Sequence, residues 1–247
     1  MKKIYIKVKL IIAEFKLRFR IKIKKDKLKF RFNNSISAYT ITKFLSSDYE
    51  AEEMFILRTM NLDGQKILEL GTGLGLVSLT CARLNPTAEV ISYDINESMT
   101  ALAKENAKLN SIVNVEYRTG SVSNNFTSEY TDFNVSKEIL KSSWTQKNFT
   151  HSDRFTAVSV KNIALKSLIH EEKFSTLIVD VEGFEEVLFT GSWLNDCKIH
   201  TIMIEYHPWL YDFEVQKSIE RSILDSNYRI DIEYGNVKLY TKRAPLS

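Results

Sequence analysis

The chain has 247 residues, of which 44% are hydrophobic and 26% charged, as in a soluble globular protein long enough for one large domain. No stretch reaches the roughly 18 uncharged apolar residues of a membrane span, and two cysteines make neither a disulfide framework nor a metal site. We therefore expect a cytoplasmic protein without a transmembrane segment. The net charge of +3 is uneven, because residues 1–32 hold 13 Lys and Arg against two acids and the remainder is acidic.

Residues 4–32 alternate between apolar and basic side chains, which predicts strands with one buried and one basic face. We assign residues 1–40 to a basic N-terminal β-hairpin or small sheet and residues 41–247 to the main domain. Either the extension packs on the main domain with its basic face in solvent, or that face binds an anionic polymer such as nucleic acid, acidic glycan or lipid headgroups. Residues 33–42 are interpreted as a connection, and a helix is predicted after a cap at Ser46.

A glycine-rich turn follows the first predicted strand of the main domain. The apolar run 67–70 ends at three glycines in alternate positions, Gly71, Gly73 and Gly75, and residues 76–84 then have helical spacing. A strand, a glycine turn and a helix start form the ligand-binding corner of a doubly wound α/β sheet. Glycines permit the tight turn and the close approach of the backbone to a ligand.

Two carboxylates accompany this turn. Asp94 ends the second predicted strand, 89–93, about 20 residues past the glycines, the separation at which an acid meets ribose hydroxyls. The Gly-x-Gly-x-Gly spacing fits a pyrophosphate poorly, and Glu69 before the turn favours a positively charged ligand. S-adenosylmethionine has an ammonium, a sulfonium, a ribose and no phosphate. The stretch from Glu69 to Gly75, with Asp94, resembles the class I S-adenosylmethionine-dependent methyltransferases.

This resemblance implies an α/β, Rossmann-like fold with a mostly parallel seven-stranded sheet that ends in an antiparallel hairpin. It also implies S-adenosyl-L-methionine as cofactor. The cofactor-binding residues that we expect are Glu69, Gly71, Thr72, Gly73, Gly75, Asp94, Ile95, Ser121 and Asp180. Ser121 is included because it follows the third predicted strand, 113–118, where many class I enzymes place a polar side chain against the adenine.

Residues 122–154 are polar and weakly patterned. They are interpreted either as a surface excursion with a short helix near residues 135–144, or as part of the acceptor pocket or a lid. A strand at 155–160, then a turn and short helix at 163–169, are predicted next.

A second group of polar residues lies at two later strand ends. The apolar strand 175–179 leads to Asp180 and Glu182, and the strand 200–206 brings Glu205 and His207 to the same sheet edge, where open α/β sheets bind ligands. A short helix after Asp180, a helix at residues 213–224, and a hairpin of residues 228–234 and 237–240 complete the predicted elements.

Residues 45–245 resemble the FkbM family of methyltransferases. The family's Asp-x-Glu-Gly-x-Glu run is matched by Asp180, Glu182, Gly183 and Glu185. The resemblance implies O-methylation, in which the enzyme aligns an acceptor oxygen with the methyl group and a nearby base accepts the hydroxyl proton. We take Asp180, Glu182 and His207 as the catalytic candidates. We assign no metal ligands, although such crowded carboxylates can instead hold a divalent cation.

We therefore expect an O-methyltransferase that acts on a hydroxyl of a small molecule or glycan. The alternative is an RNA or other nucleic-acid methyltransferase with the basic N-terminal sheet as its platform. The fourth strand lacks the Asn/Asp-Pro-Pro-Tyr run used for exocyclic amines, but a ribose 2′-hydroxyl remains open as a target. The sequence does not specify the oligomeric state.

Overall fold

The structure is a computed structural model that describes residues 22–32, 36, 38–124, 128–136 and 155–244. Its strands are β1 Ile23–Lys25, β2 Leu28–Phe30, β3 Lys66–Leu70, β4 Glu89–Asp94, β5 Val115–Thr119, β6 Ser121–Ser123, β7 Tyr130–Ser136, β8 Phe155–Ala164, β9 Thr176–Val179, β10 Thr201–Glu205, β11 Tyr228–Tyr234 and β12 Val237–Lys242. Its helices are α1 Ala38–Phe44, α2 Ala51–Leu57, α3 Leu76–Leu84, α4 Glu97–Leu109, α5 Leu165–Glu172, α6 Glu185–Leu188 and α7 Phe213–Asp225, with a 3₁₀ turn at Trp193–Asp196.

Seven strands form the central sheet, in the order β11-β12-β10-β9-β3-β4-β5. Neighbours from β10 to β5 pair in parallel, and β12 pairs antiparallel with both β10 and β11. The reversed strand is β12, which lies next to the edge strand β11, and β4 and β5 extend the sheet on the other side of β3. This is the strand order of class I methyltransferases, so the predicted fold class is confirmed.

Both faces of the sheet are covered. One hydrophobic cluster contains buried residues of the β1–β2 hairpin and of α1 to α4, and the other contains buried residues of α5 to α7. Central strands such as β9 are buried on both faces, so their four residues are all buried and do not alternate between apolar and polar. The carboxyl ends of β3, β4, β9 and β10 meet at one sheet edge, where the candidate site lies.

The first two strands form an antiparallel hairpin whose turn residues, Asp26 and Lys27, have φ of 48° and 64°. Lys24 and Lys29 are exposed opposite each other, as the alternation predicts. The buried side chains of the hairpin, Ile23, Leu28 and Phe30, belong to the core of the main domain. Residues 1–21 lie outside the described part of the chain, and the domain boundary at residue 40 stays a prediction.

Two asparagines of α4 fix the hairpin to the main domain. The Lys29 amide donates to Oδ1 of Asn110 at 2.8 Å, and Nδ2 of Asn110 donates to the Lys29 carbonyl at 2.7 Å. The Arg31 amide donates to Oδ1 of Asn106 at 2.8 Å. The free edge of β2, where a further strand could pair, is therefore hydrogen-bonded to the two asparagine side chains of α4.

Three local predictions were wrong. Residues 38–44 form α1 and are not a connection, because burial of Ile41 and Phe44 stabilises a helix there. The next helix begins at Ala51, after a turn in which Glu50 has a φ of 50°. The helix near residues 135–144 cannot begin at Val135, because that residue lies in β7.

The segment between β5 and β9 forms a small sheet of its own. β8 pairs in parallel with β6 and antiparallel with β7. The rest of the predicted helix, residues 137–144, lies outside the described residues. In the described part of the chain, no helix has both the length and the apolar character that a membrane crossing requires.

Candidate active site

Gly71 joins the glycine turn to the end of β9. Its amide donates to the Tyr93 carbonyl at 2.8 Å, and its φ is 96°, a conformation that residues with a Cβ rarely adopt. A Cβ at this position would lie 1.7 Å from the backbone oxygen of Asp180. Only glycine therefore allows the turn and the end of β9 to approach so closely.

The predicted acid before the turn, Glu69, lies beneath the turn and is 1% exposed. It accepts a short hydrogen bond from the Ser92 hydroxyl, which is 2.6 Å from the hydroxyl of Thr72. Burial raises the pKa of Glu69 to about 8, and hydrogen bonds from Ser92 and Ser78 oppose the shift. Its Oε1 has no hydrogen-bond partner among the described residues, so the turn rests on a carboxyl group that can still accept a bond.

Asp94 lies at the end of β4, as predicted, with its carboxylate toward the turn. It accepts hydrogen bonds from the amides of Asn96 at 2.8 Å and Gly73 at 3.1 Å. Burial raises its pKa to about 6, although these amide bonds favour the charged form. The four residues that follow Asp94 line a cavity of about 440 Å³, whose lining residues are Ile95, Asn96, Glu97, Ser98, Val158, Ser159 and Val160.

Two predicted cofactor residues lie behind the turn or beside it. A Cβ on Gly75 would lie 3.0 Å from the Cβ of Ala103 and 3.3 Å from the Tyr117 hydroxyl, so Gly75 allows close packing of α3. Ser121 is buried at the start of β6 and follows Gly120, whose amide donates to the Asp94 carbonyl at 2.9 Å.

The catalytic candidates come together around His207. Its Nε2 lies 3.4 Å from Oδ1 of Asp180 and 3.6 Å from carboxylate oxygens of both Glu182 and Glu205. Its Nδ1 forms a 2.7 Å hydrogen bond with Oε1 of Glu185, which is completely buried. The ring is thus held from behind by one carboxylate and faces three others.

These groups differ in their access to solvent. The His207 side chain is 2% exposed, whereas those of Asp180 and Glu182 are 30% and 37% exposed. The two carboxylates, and not the imidazole, are therefore accessible from solvent.

The crowding changes the proton affinity of each group. Burial lowers the pKa of His207, but the Glu185 hydrogen bond and the surrounding carboxylates outweigh burial and raise it to about 9. Burial and the neighbouring Glu182 and Glu53 raise the pKa of Asp180 to about 7, although His207 opposes the shift. Burial, Asp180 and Glu53 raise the pKa of Glu205 to about 12. The cluster therefore contains more carboxyl groups than can be ionised at the same time.

Sequence reasoning missed three contributors to this site. Glu53 of α2 hydrogen-bonds with Glu205, and Tyr49 and Glu50 lie against Gly73. The sequence marks Glu53 only as an acid within a predicted helix, and its burial in α2 is seen only in the structure. Glu185 was interpreted only as part of a sequence run, and nothing in the sequence pairs it with His207.

Residues 61–179 match the model of a methyltransferase domain. Over 59 residues the chain is 49% identical to the release factor glutamine methyltransferase of Aliivibrio fischeri, covering 24% of this chain and 21% of that protein. Over 44 residues it is 46% identical to the tRNA1(Val) (adenine(37)-N6)-methyltransferase of a Flavobacteriaceae bacterium, covering 18% of this chain and 19% of that protein. The chain thus spans about a fifth of the length of these curated relatives.

Among solved structures, precorrin-6y C5,15-methyltransferase of Geobacter metallireducens superposes with a TM-score of 0.48 at 12% identity, over 81% of this chain and 89% of that one. The strand order, the glycine turn and the matched domain together support S-adenosyl-L-methionine as the cofactor.

Proposed function

We propose that this chain, a class I S-adenosylmethionine-dependent methyltransferase by its fold and its matched domain, methylates a hydroxyl oxygen of a small molecule or glycan. The observation that carries the proposal is the pair of partly exposed carboxylates, Asp180 and Glu182, beside the glycine turn. Methyl transfer to a hydroxyl needs an aligned oxygen and a group that accepts its proton, and this pair provides the acceptor group.

The residues around the turn fit a cationic nucleoside cofactor. S-adenosyl-L-methionine supplies the methyl group when it is bound. Gly71 and Gly73 keep the turn free of side chains, and Asp94 provides carboxylate oxygens beside a cavity. Glu69 and Glu50 each have a buried carboxylate oxygen without a hydrogen-bond partner among the described residues, which favours a ligand with positive charge.

Asp180 and Glu182 act on the acceptor hydroxyl, and His207 positions them. The close contact between Gly71 and the Asp180 carbonyl places the first carboxylate directly beside the turn. Since His207 is buried and its ring is held by Glu185, it orients the carboxylates and does not itself receive the proton.

The finer relationship that we infer is to the FkbM methyltransferases. It is supported by the Asp180-to-Glu185 run, in which Gly183 has a φ of 97° and Glu185 holds His207. The chain departs from that family at Glu69, where the family more often has an Asp-x-Gly-Ala form. Because of this departure, the hydroxyl acceptor that the family resemblance implies is carried over to this chain only as part of the proposal.

A nucleic-acid acceptor is the second candidate. The similarity to a tRNA methyltransferase and the exposed Lys24 and Lys29 of the hairpin favour it. In this case a ribose 2′-hydroxyl would occupy the same position beside Asp180, because the described strand end lacks the Pro-Pro-Tyr run of exocyclic-amine enzymes.

The test is methyl transfer from isotopically labelled cofactor to a cell extract, followed by separation into small-molecule and glycan, RNA and protein fractions. We expect label in the small-molecule or glycan fraction as an alkali-stable ether. Label that is released by ribonuclease would replace this function by the second candidate, and label on protein would exclude both.

A matched pair of variants assigns the chemistry. Glu182→Gln is expected to lower kcat by roughly 100-fold or more, because the hydroxyl proton loses an acceptor. Glu186→Gln changes an exposed glutamate of α6 and should transfer methyl at the wild-type rate. Equal rates for both variants would remove Glu182 from the mechanism.

A further inference from the structure

A buried histidine and several carboxylates surround one point at the carboxyl ends of β9 and β10. The ligand atoms of Asp180, Glu205 and His207 all lie within 4.8 Å of one another. Nε2 of His207 is separated from three carboxylate oxygens by 3.4, 3.6 and 3.6 Å, beyond the usual 2.7–3.2 Å of an N–H···O hydrogen bond. In a tetrahedral metal site with bonds of about 2.1 Å, neighbouring ligand atoms are about 3.4 Å apart.

Two independent features indicate that this point binds a ligand. The Asp180 side chain hydrogen-bonds with Glu205, but its Oδ1 is buried and lacks a hydrogen-bond partner among the described residues, although it faces Nε2. Nδ1 of His207 hydrogen-bonds to the buried Glu185, an arrangement that fixes the ring and leaves Nε2 available, as in carboxylate–histidine–metal triads. The His207 side chain is only 2% exposed, so the cluster is not made of surface acids alone.

The balance of charge also favours a cation. In the ion pairs of the described residues, Asp180, Glu185 and Glu205 all pair with the one histidine, and Glu53 adds a further carboxyl group against Glu205. Collecting carboxylates away from water is unfavourable unless positive charge compensates them. A divalent ion compensates two of them at once.

We propose that Asp180, Glu205 and His207 bind a divalent first-row transition-metal ion. The imidazole ligand favours ions such as Zn²⁺ or Mn²⁺ over Mg²⁺ and Ca²⁺, which prefer sets made only of oxygen. The remaining coordination positions are open to solvent, since the side chains of Asp180 and Glu205 are 30% and 20% exposed. The inference deepens the proposed function and rests on it for its chemical role. The ion, bound by Asp180, would orient the acceptor oxygen as a Lewis acid beside the glycine turn, and Glu182 would then be the group that accepts the proton.

The test measures metal binding directly, without methyl acceptor. Chelator-treated protein is titrated with Zn²⁺, Mn²⁺ and Mg²⁺ by calorimetry, and with Co²⁺ by visible absorption. We expect one equivalent of Zn²⁺ or Mn²⁺, much weaker binding of Mg²⁺, and Co²⁺ bands without a thiolate charge-transfer band. A thiolate band would place the ion at a cysteine, Cys81 or Cys197, and overturn the proposal, as would the lack of one-to-one binding by the wild type.

The variants separate ligands from bystanders. His207→Gln and Glu205→Gln should each weaken Zn²⁺ binding by roughly 100-fold, and Glu185→Gln, which only loosens the ring, by about 10-fold to 100-fold. His200→Gln and Glu186→Gln change exposed residues and should bind as the wild type does. Thermal unfolding of each metal-free variant shows whether it is folded, and wild-type-like affinity in a folded His207→Gln protein contradicts the proposal.

The two proposals fail separately. Stoichiometric metal binding without transfer to any hydroxyl would retain the metal site and remove the acceptor assignment. Full transfer to a hydroxyl by chelated protein that binds no added metal would retain the proposed function and remove the metal site.

Discussion

At the scale of single residues, Gly71 is the glycine of the described part of the site that least tolerates a side chain. A Cβ there would collide with the backbone of Asp180, which cannot move without shifting β9 against β3. Gly64 has a similarly left-handed φ of 72°, but nothing lies within 4 Å of the position that a Cβ would occupy there. The two glycines therefore separate the effect of steric overlap from the effect of backbone strain.

We predict that Gly71→Ala lowers the free energy of unfolding by roughly 3 kcal/mol or more, because strain and overlap add. Gly64→Ala should lower it by only about 1 kcal/mol, since strain alone acts there. Urea unfolding of both variants measures the difference. If the two lose the same stability, the contact with Asp180 does not restrict the turn.

Glu69 gives a prediction for pH dependence. Its pKa is raised by burial to about 8 in the folded protein, from an ordinary value near 4.5, so the unfolded chain ionises first as the pH rises. The stability that its protonated form provides is complete below about pH 4.5 and is lost as the pH rises through 8. Between these values, the wild type should lose a few kcal/mol relative to Glu69→Gln.

The measurement is the free energy of unfolding of both proteins at pH 5 and pH 8. The difference between them is informative because other titrating groups cancel. Glu116→Gln, which changes an exposed carboxylate, is the control and should follow the wild type. A constant difference between wild type and Glu69→Gln would mean that Glu69 ionises normally.

The residue types at the site followed from the sequence, but their partners did not. Asp180, Glu182 and His207 could be placed at one sheet edge, because parallel strands bring their carboxyl ends together. The bond from His207 to Glu185 depends on the turn at Gly183 and on the direction of α6, which pattern alone does not give. The contact between Glu53 and Glu205 spans distant elements and has no local signal.

At the scale of elements, the hairpin β1–β2 depends on side chains of α4. Asn110 both accepts from and donates to the backbone of Lys29, which satisfies an edge that would otherwise pair with water or another strand. The buried faces of Leu28 and Phe30 then rest on the core. The hairpin is therefore held by a specific polar anchor as well as by apolar packing.

We predict that Asn110→Ala exposes the hairpin to hydrogen exchange while the central sheet stays protected. Loss of two hydrogen bonds costs about 1–3 kcal/mol, so exchange at the amides of β2 should rise by roughly 10-fold to 100-fold. Asn195→Ala alters an exposed asparagine and serves as the control. Uniformly faster exchange across the sheet would instead show global destabilisation.

Strongly patterned elements were predictable, and those that depend on packing were not. Residues 97–109 form α4, where the N-cap Asn96 and the apolar spacing of the sequence agree. Residues 38–44 contain Thr40, Ile41 and Thr42, whose β-branched side chains disfavour a helix in isolation. Tertiary packing of Ile41 and Phe44 overrides that propensity.

At the scale of the whole molecule, the charge is divided between a basic N-terminal stretch and an acidic remainder. Ile23, Leu28, Phe30 and Phe32 lie in the main core, so deletion of residues 1–32 would remove core side chains and confuse binding with folding. Substitution of exposed lysines on the hairpin is the cleaner experiment.

The nucleic-acid candidate predicts that the double variant Lys24→Gln/Lys29→Gln binds single-stranded RNA with a shallower salt dependence. The slope of log K against log salt should fall by about 1.4, since each lost phosphate contact contributes about 0.7. Lys166→Gln/Lys198→Gln has the same change in net charge at exposed positions elsewhere and should keep the wild-type slope. Identical slopes for both double variants would exclude the hairpin as an RNA platform.

The order of the central sheet was predictable because the glycine turn and the two strand-end acids resemble one family of folds. The paths of the segments between β5 and β9 were not, since their polar sequence has no periodicity to fix β7 against β8. For the same reason, the sequence did not show that β8 contributes Val158 and Val160 to the cavity beside Asp94.

Under the proposed function, the contact between Gly71 and the Asp180 backbone joins the cofactor turn to the carboxylate that faces the acceptor. A substitution that displaces the turn would therefore also displace the end of β9. On this proposal, we expect a change of substrate to come from the segment after His207, where Trp209 and Phe213 are each 63% exposed, and not from the strand ends that hold the candidate residues. We accordingly expect selection for new acceptors to change the residues of that exposed segment and to retain Gly71 and Asp180.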